Sequence, residues 1–417
     1  MNQQLQQLVD KWTNRYGLQQ YEIGTYHFFK QATLDGVVQY HLTVEFYPKG
    51  ASPYEEDELN PDGTAIIDYN LTTETIVSIL FVNAQSFATT HPFPTQTVQE
   101  VAQWIETETG YTYGDHFVAV DTVDNGYLFE GVINGYSVCP TATIEIQFDN
   151  EGKLTTFHMQ HMEYIDGAVP EETFPITIEQ LSSHISDQLT FMYYPIEETE
   201  KWLPIYILEE GLFTKDGRYK PIPEDFSQPV HTPLYWDAPL ANTINRQPIE
   251  PFQHIPADEA FAYAKTTEKL YVTTEQQKNI KIIAIDVLRT IHPYESGQWQ
   301  LSTIRPKPNF IEVFCEKINE SNAIIPRKVV LLLQNDTLDI LNYIDNKEML
   351  TIFDHFHMTD NVQVTKEEAF HKLSSEIIST PTYRFNEQTK NYALCLKVHS
   401  THVIDASTGE LISLTDI

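Results

Sequence analysis

Basic residues are scarce in this chain. Its 417 residues include 26 Lys+Arg against 59 Asp+Glu, a formal net charge of −33. Neutralising phosphates requires clustered Lys and Arg, and no such cluster occurs, so nucleic acid is excluded as a partner. An anionic membrane surface is disfavoured for the same reason. Charged residues make up only 20% of the chain, below the ~25% of an ordinary soluble protein. The acidity therefore reflects missing cations rather than blocks of carboxylates.

Cysteine is almost absent. Cys139, Cys315 and Cys395 are odd in number, far apart and never spaced C-x-x-C, which excludes a Cys-based zinc site and a dithiol redox motif. Each sits in an apolar, strand-like run and is expected to be a buried free thiol. Long apolar runs are missing too. The longest, residues 75–82 and 329–333, are far too short to span a bilayer, so no membrane insertion is expected. The start, MNQQLQQLVDKWTNRYG, has no basic residues leading into an apolar run, so it is not a secretory signal and a cytoplasmic location is expected. The phosphate loop, G-x-G-x-x-G and H-E-x-x-H are all absent. No cofactor is implied.

Apolar material is plentiful. With 41% hydrophobic and 12% aromatic residues, global disorder is excluded. Five segments carry helical periodicity. Leu5, Leu8, Val9, Trp12 and Tyr16 fall on one helix face. Thr97–Glu100, Thr177–Gln180 and Thr365–Glu368 are capping boxes, in which a threonine hydroxyl and an acid or amide three residues on satisfy each other's backbone N–H groups. A further helix follows Pro256, with Ala257, Ala260, Phe261 and Ala264 on its face. Between the helices the period changes to two. Tyr40, Leu42, Val44 and Phe46 alternate with His41, Thr43, Glu45 and Tyr47, and Ile144, Ile146 and Phe148 with Glu145 and Gln147. Turn dipeptides such as Asp35-Gly36, Asn134-Gly135, Asp166-Gly167 and Asp216-Gly217 punctuate the strands. This grammar predicts an α+β protein of several domains, built from repeated units of one helix packed on an antiparallel sheet.

Two stretches can be laid on each other. Phe148 to Leu154 before the Thr177 helix matches Leu332 to Leu338 before the Thr365 helix, and Lys215-Asp216-Gly217 matches Ser407-Thr408-Gly409. The period is close to a whole domain, far above that of solenoid repeats. The organisation expected is an N-terminal domain over 1–90, a first unit over 91–227, a Pro-rich joint over 228–255 and a second unit over 256–417.

The closing segment carries a resemblance. Val364 to Phe370, Tyr383, Tyr392 to Val398 and Val403-Ile-Asp-Ala-Ser-Thr-Gly-Glu-Leu-Ile412 resemble the PepSY-like repeat, in particular that of the YcdB/YcdC proteins of spore-forming bacteria. Asn134 to Val138, Ile144 to Asp149 and Gly152 to Leu154 are similar to that family's middle strands. The resemblance implies a helix-on-sheet fold and a role in inhibiting or regulating peptidases. It brings no catalytic residues. Read physically, its motif is structural: Asp405 accepts the N–H groups of a tight turn and Gly409 takes the left-handed conformation.

Candidate chemistry is sparse. Gly135 to Cys139 lacks the closing glycine and the following helix of a nucleophile elbow. Residues 56–63 have calcium-loop flavour but lack the closing glutamate, since Tyr69 takes that place. The most suggestive cluster is Asp354-His355-Phe356-His357-Met358-Thr359-Asp360. In an extended chain His355 and His357 point the same way and reach one metal, with Asp354 and Asp360 as added ligands. His158-Met-Gln-His161 lies in the equivalent place of the first unit. The leading expectation is a non-enzymatic binding or regulatory protein acting through sheet edges and an acidic surface on a protein partner, a peptidase or a basic protein. Two alternatives stay open: a metal-assisted hydrolase using His355 and His357, and a structural, self-associating protein.

Overall fold

Period-two segments become strands wherever one face finds a core. In Val38–Pro48 the residues Tyr40, Leu42, Val44 and Phe46 are buried, and in Thr143–Phe148 so are Ile144, Ile146 and Phe148. The computed structural model describes residues 2–51, 60–165, 169, 173–222, 226–248, 253–318, 323–358, 361–386 and 391–417. The acidic loop at 52–59 and the Asp166-Gly167 turn lie outside them.

The described strands form three sheets of thirteen, five and five strands. Across the first, in spatial order, run Tyr21–Ala32, Val38–Pro48, Ala65–Asn70, Thr75–Phe81, Leu154–Gln160, Thr143–Phe148, Gly126–Ile133, Tyr136–Cys139, Ile377–Asn386, Asn391–Ser400, Gly211–Phe213 and Tyr219–Pro221, with Phe117–Val123 also paired to Gly126–Ile133. The second runs Leu189–Ile196, Lys201–Leu208, His402–Asp405, Leu411–Ser413, with His357–Met358 parallel to Lys201–Leu208. The third is the meander Gln228–Leu234, Trp299–Pro306, Ile311–Lys317, Lys328–Leu333, Ile340–Asp345.

This corrects the expected fold class. The protein is mainly β, not a series of α+β units that each lay one helix on a sheet of their own. Ser78 pairs with His158, and Thr382 pairs in parallel with Ser137, so strands from 1–90, 91–227 and 256–417 share one mixed sheet. Alternation specifies which face of a strand is buried; it does not specify which strand lies alongside. Within the expected joint, Gln228–Leu234 is an edge strand of the third sheet. An edge tolerates Pro229 and Pro233, which have no N–H to give a neighbour.

The second sheet contains an exchange. Helix Ile178–Asp187 is followed by two long strands and then the short pair Gly211–Phe213 and Tyr219–Pro221. Helix Lys366–Leu373 is followed by two long strands and then the short pair His402–Asp405 and Leu411–Ser413. Each short pair sits on the other stretch's strands: Phe213 opposes Leu396, and Ile404 opposes Tyr206. Leu181, Ile185, Ala369, Leu373, Phe213 and Ile404 consequently share one core.

The remaining helices cover single faces. Gln3–Arg15, Val98–Thr109 and Ala257–Tyr263 bury Leu5, Val9, Trp12, Val101, Ala102, Ile105 and Ala260 on one face of the first sheet. The third sheet is covered by Thr274–Ile291, through Ile280, Ala284, Val287 and Leu288. That helix was not among the five expected. No described helix is long and apolar enough to cross a membrane. The three cysteines are buried and free. Burial pushes the Cys139 thiol to about 11 and Cys315 to about 12, which keeps both protonated at neutral pH.

A polar cluster closes the third sheet. Arg327, 8% exposed, places Nη1 2.6 Å from Asp345 Oδ1, and His292 Nε2 lies 2.9 Å from Asp345 Oδ2. The guanidinium lies 5.2 Å over Trp299, which also stacks with the His292 ring and donates its indole N–H to Glu295 Oε2 at 2.9 Å. Burial alone would raise the Asp345 carboxyl; hydrogen bonds from Arg327 and the Lys347 N–H, with the guanidinium charge, outweigh it and hold the group below its ordinary value. A carboxylate depressed in the folded state stabilises above its unfolded pKa of ~3.9, and that contribution is lost as pH falls through the folded value. Asp345→Asn is expected to cost about 2 kcal/mol at neutral pH, the buried-pair cost reduced for partial exposure. In thermal melts the gap from the parent closes in strong acid; equal midpoints at pH 7 contradict this role.

Candidate functional site

Residues 344–358 run from the end of the third sheet onto the tip of the second. After Ile340–Asp345, the chain makes the helix Lys347–Leu350 and the 3₁₀ turn Thr351–Phe353. His357–Met358 then lies parallel to Lys201 and Trp202, anchored by the His357 N–H donating to Glu200 O at 2.9 Å. The strand begins only at His357, so His355 and His357 do not share the extended geometry that would aim both rings at one point. His355 instead sets Nε2 3.6 Å from Glu200 Oε1, both side chains more than half exposed. His357 and Asp354 are exposed, and Asp360 lies outside the described residues. Among the described residues no three His, Cys, Asp or Glu side chains are grouped to hold a metal ion.

What surrounds the histidines is apolar. Trp202 packs against Phe353 at 5.3 Å and Phe356 at 6.2 Å between ring centroids, and the two phenylalanines meet edge to face at 5.2 Å. Along the same stretch Ile344 is 55% exposed, Met349 51%, Ile352 55% and Met358 45%. Single exposed apolar residues are ordinary, whereas several in one short stretch that also carries an aromatic cluster make a candidate interaction surface. The exposed charges of these segments are mostly acidic: Glu197, Glu198, Glu200, Glu348 and Asp354, against Lys201 and Lys347. Methionines suit such a surface because the flexible thioether adapts to a partner's shape. Sequence reading reached this segment through its histidines and missed Trp202, Phe353, Phe356 and the methionines. No period marks them, and apolar residues are read as core by default.

The motif residues of the C-terminal segment are occupied in local structure. Thr365 caps its helix, accepting from the Glu368 N–H at 3.2 Å while Glu368 Oε2 accepts from the Thr365 N–H at 3.0 Å. Gln180 Oε1 accepts from the Thr177 N–H at 2.9 Å. Asp405 accepts from the Ser407 N–H at 2.7 Å and the Thr408 hydroxyl at 2.9 Å. Gly409, at φ +77°, accepts through its carbonyl from Lys372 Nζ, and a Cβ there would meet that nitrogen at 2.6 Å.

Sheet edges, the other expected contact route, carry chain. Ile255 N–H donates to Phe28 O on the first sheet, Ile324 N–H to Tyr193 O on the second, and Gln247 N–H to Leu341 O on the third. Such cover blunts an edge against strand addition.

No family model and no curated protein matches the chain. Among solved structures the chain is similar to the Bacillus megaterium YpeB C-terminal domain, at 8% identity over 83% of this chain and 97% of that one, with a TM-score of 0.26. A score of that size does not establish a common fold.

Proposed function

We propose that the chain is a non-enzymatic binding and regulatory protein that docks a protein partner on the surface around Trp202. The observation that carries this is that Ile344, Met349, Ile352 and Met358 are half-exposed in the same stretch as Phe353 and Phe356, which pack on Trp202, and that the exposed charges of these segments are mostly acidic. The partner that fits offers apolar anchors within a basic face. Its anchors gain about 25 cal/mol per Å² of apolar surface removed from water, and its cations meet the acidic side chains and speed encounter. With the edges partly covered, an exposed face is the better-supported contact than strand addition. The PepSY-like resemblance makes a peptidase the first partner class to try, held or blocked by occupancy of this surface.

The test compares three forms of the intact protein as bait: the parent, Ile352→Glu in the surface, and Val120→Glu, a half-exposed position on the first sheet. The parent and Val120→Glu should retain one discrete basic partner at low salt and release it at high salt, while Ile352→Glu fails to hold it. Equal recovery by all three overturns the proposal.

A further inference from the structure

Among the described residues no helix covers the second face of the first sheet over the strands Val38–Pro48, Ala65–Asn70, Thr75–Phe81, Leu154–Gln160 and Thr143–Phe148, and that stretch of the face is mainly polar. Pairing aligns Thr43, Asp68, Ser78, His158 and Glu145 in one row across five strands. Over part of it lies a cleft of about 670 Å³, closed on one side by the 307–310 loop of the third sheet. A second hollow of about 390 Å³ continues it, sharing Gln39, Asn70, Val77, Met159 and Glu163. Volumes of this size suit a small ligand.

Its lining is unusual in kind. Five carboxamides face it, Gln31, Gln39, Asn70, Gln160 and Asn309, with three imidazoles, His41, His158 and His161. Gln39 Oε1 accepts from Asn70 Nδ2 at 2.9 Å and Asn70 Oδ1 accepts from the Thr72 and Thr73 N–H groups, which leaves Gln31, Gln160 and His158 to offer a ligand both a donor and an acceptor. Lys30 turns its ammonium to the opposite face, over Tyr40 and 3.7 Å from Glu259, so the charges lining the cleft are Lys307 against Asp68 and Glu163. That acidic excess, in a chain of net charge −33, disfavours phosphates and other anions. Phe310 and Met159 give it apolar patches.

One group is left unsatisfied. His41 is only 4% exposed; Phe29 stacks on its ring at 5.3 Å and its Nδ1 lies 3.4 Å from Asp68 Oδ1. Among the described residues its Nε2 is buried with no hydrogen-bond partner. Buried polar atoms are rarely left so unless a ligand, water or ion completes them.

We infer that this cleft binds a neutral, hydroxyl-rich ligand of the saccharide class. Paired donors and acceptors on carboxamides match vicinal hydroxyls, and the apolar patches receive the C–H face of a sugar ring. This site is independent of the Trp202 surface.

Titration calorimetry of the intact chain with cellotriose and triacetylchitotriose tests it, with triglycine and tripolyphosphate as competing chemistries. One saccharide should bind at a single site. Gln160→Ala, at an exposed position that leaves folding unaffected, and His41→Phe should each weaken it about tenfold, the loss of one hydrogen bond to a buried ligand. No saccharide binding, binding unchanged in Gln160→Ala, or tighter binding of triglycine or tripolyphosphate each overturns the assignment.

Discussion

A chain ended after residue 400 will lose hydrogen-exchange protection in Lys201–Leu208, about half the sequence away from the deletion. The strand His402–Asp405 covers that strand's outer edge, with Ile205 opposite Asp405 and the Ala406 N–H donating to Pro204 O at 2.8 Å. Val403, Ile404 and Ala406 are fully buried. Burying the first two contributes about 1.5–3 kcal/mol each, and the ladder bonds add about 1 kcal/mol each. Against a total stability of about 5–15 kcal/mol, the sheet should open. A point version is Ile404→Ala, at a cost of about 2–5 kcal/mol, with the loss of protection reaching Leu181 and Ile185 in the helix on the shared core. If the stretches were self-contained, both changes would expose only residues downstream of 377.

The second large effect concerns the exposed surface. Trp202→Ala should weaken the partner complex about 100-fold, as truncating a central aromatic anchor costs about 2–4 kcal/mol. Trp202 is half-buried against Phe353 and Phe356, so this variant also loses some stability. Ile352→Glu separates the two effects: at 55% exposure it should leave the unfolding free energy within about 0.5 kcal/mol of the parent and still abolish binding. A surface serving only the fold gives the reverse pattern, a lowered melting temperature and intact binding.

Local signals carried far in this sequence, and pairing did not. The boxes at Thr177 and Thr365 form at helix starts, because a capping box is satisfied within four residues; at Thr97 only the threonine half forms, and Glu100 accepts from the Thr95 and Gln96 N–H groups instead. Thr273 and Gln276 form another, ahead of the stripe Ile280, Ala284, Val287, Leu288, a signal of the same local kind as the other boxes. Strand faces were legible at Tyr40 and Ile144. That Ser78 would meet His158, or Phe213 meet Leu396, was not, since those partners are chosen by a core assembled from the whole chain. His41 shows the same limit at a site. Alternation places it on the polar face, yet Phe29 beside it and a cleft closed by a loop from residue 307 bury it. The histidines at 355 and 357 drew notice by type, while the apolar groups beside them became visible only through their exposure.

The most direct test places a photo-crosslinking residue at position 352 of the intact protein and, separately, at position 120, and irradiates each in native extract. Docking at the Trp202 surface predicts one discrete adduct with a basic protein from position 352, suppressed by added salt, and none from position 120. No adduct from 352, or the same adducts from both positions, would contradict it.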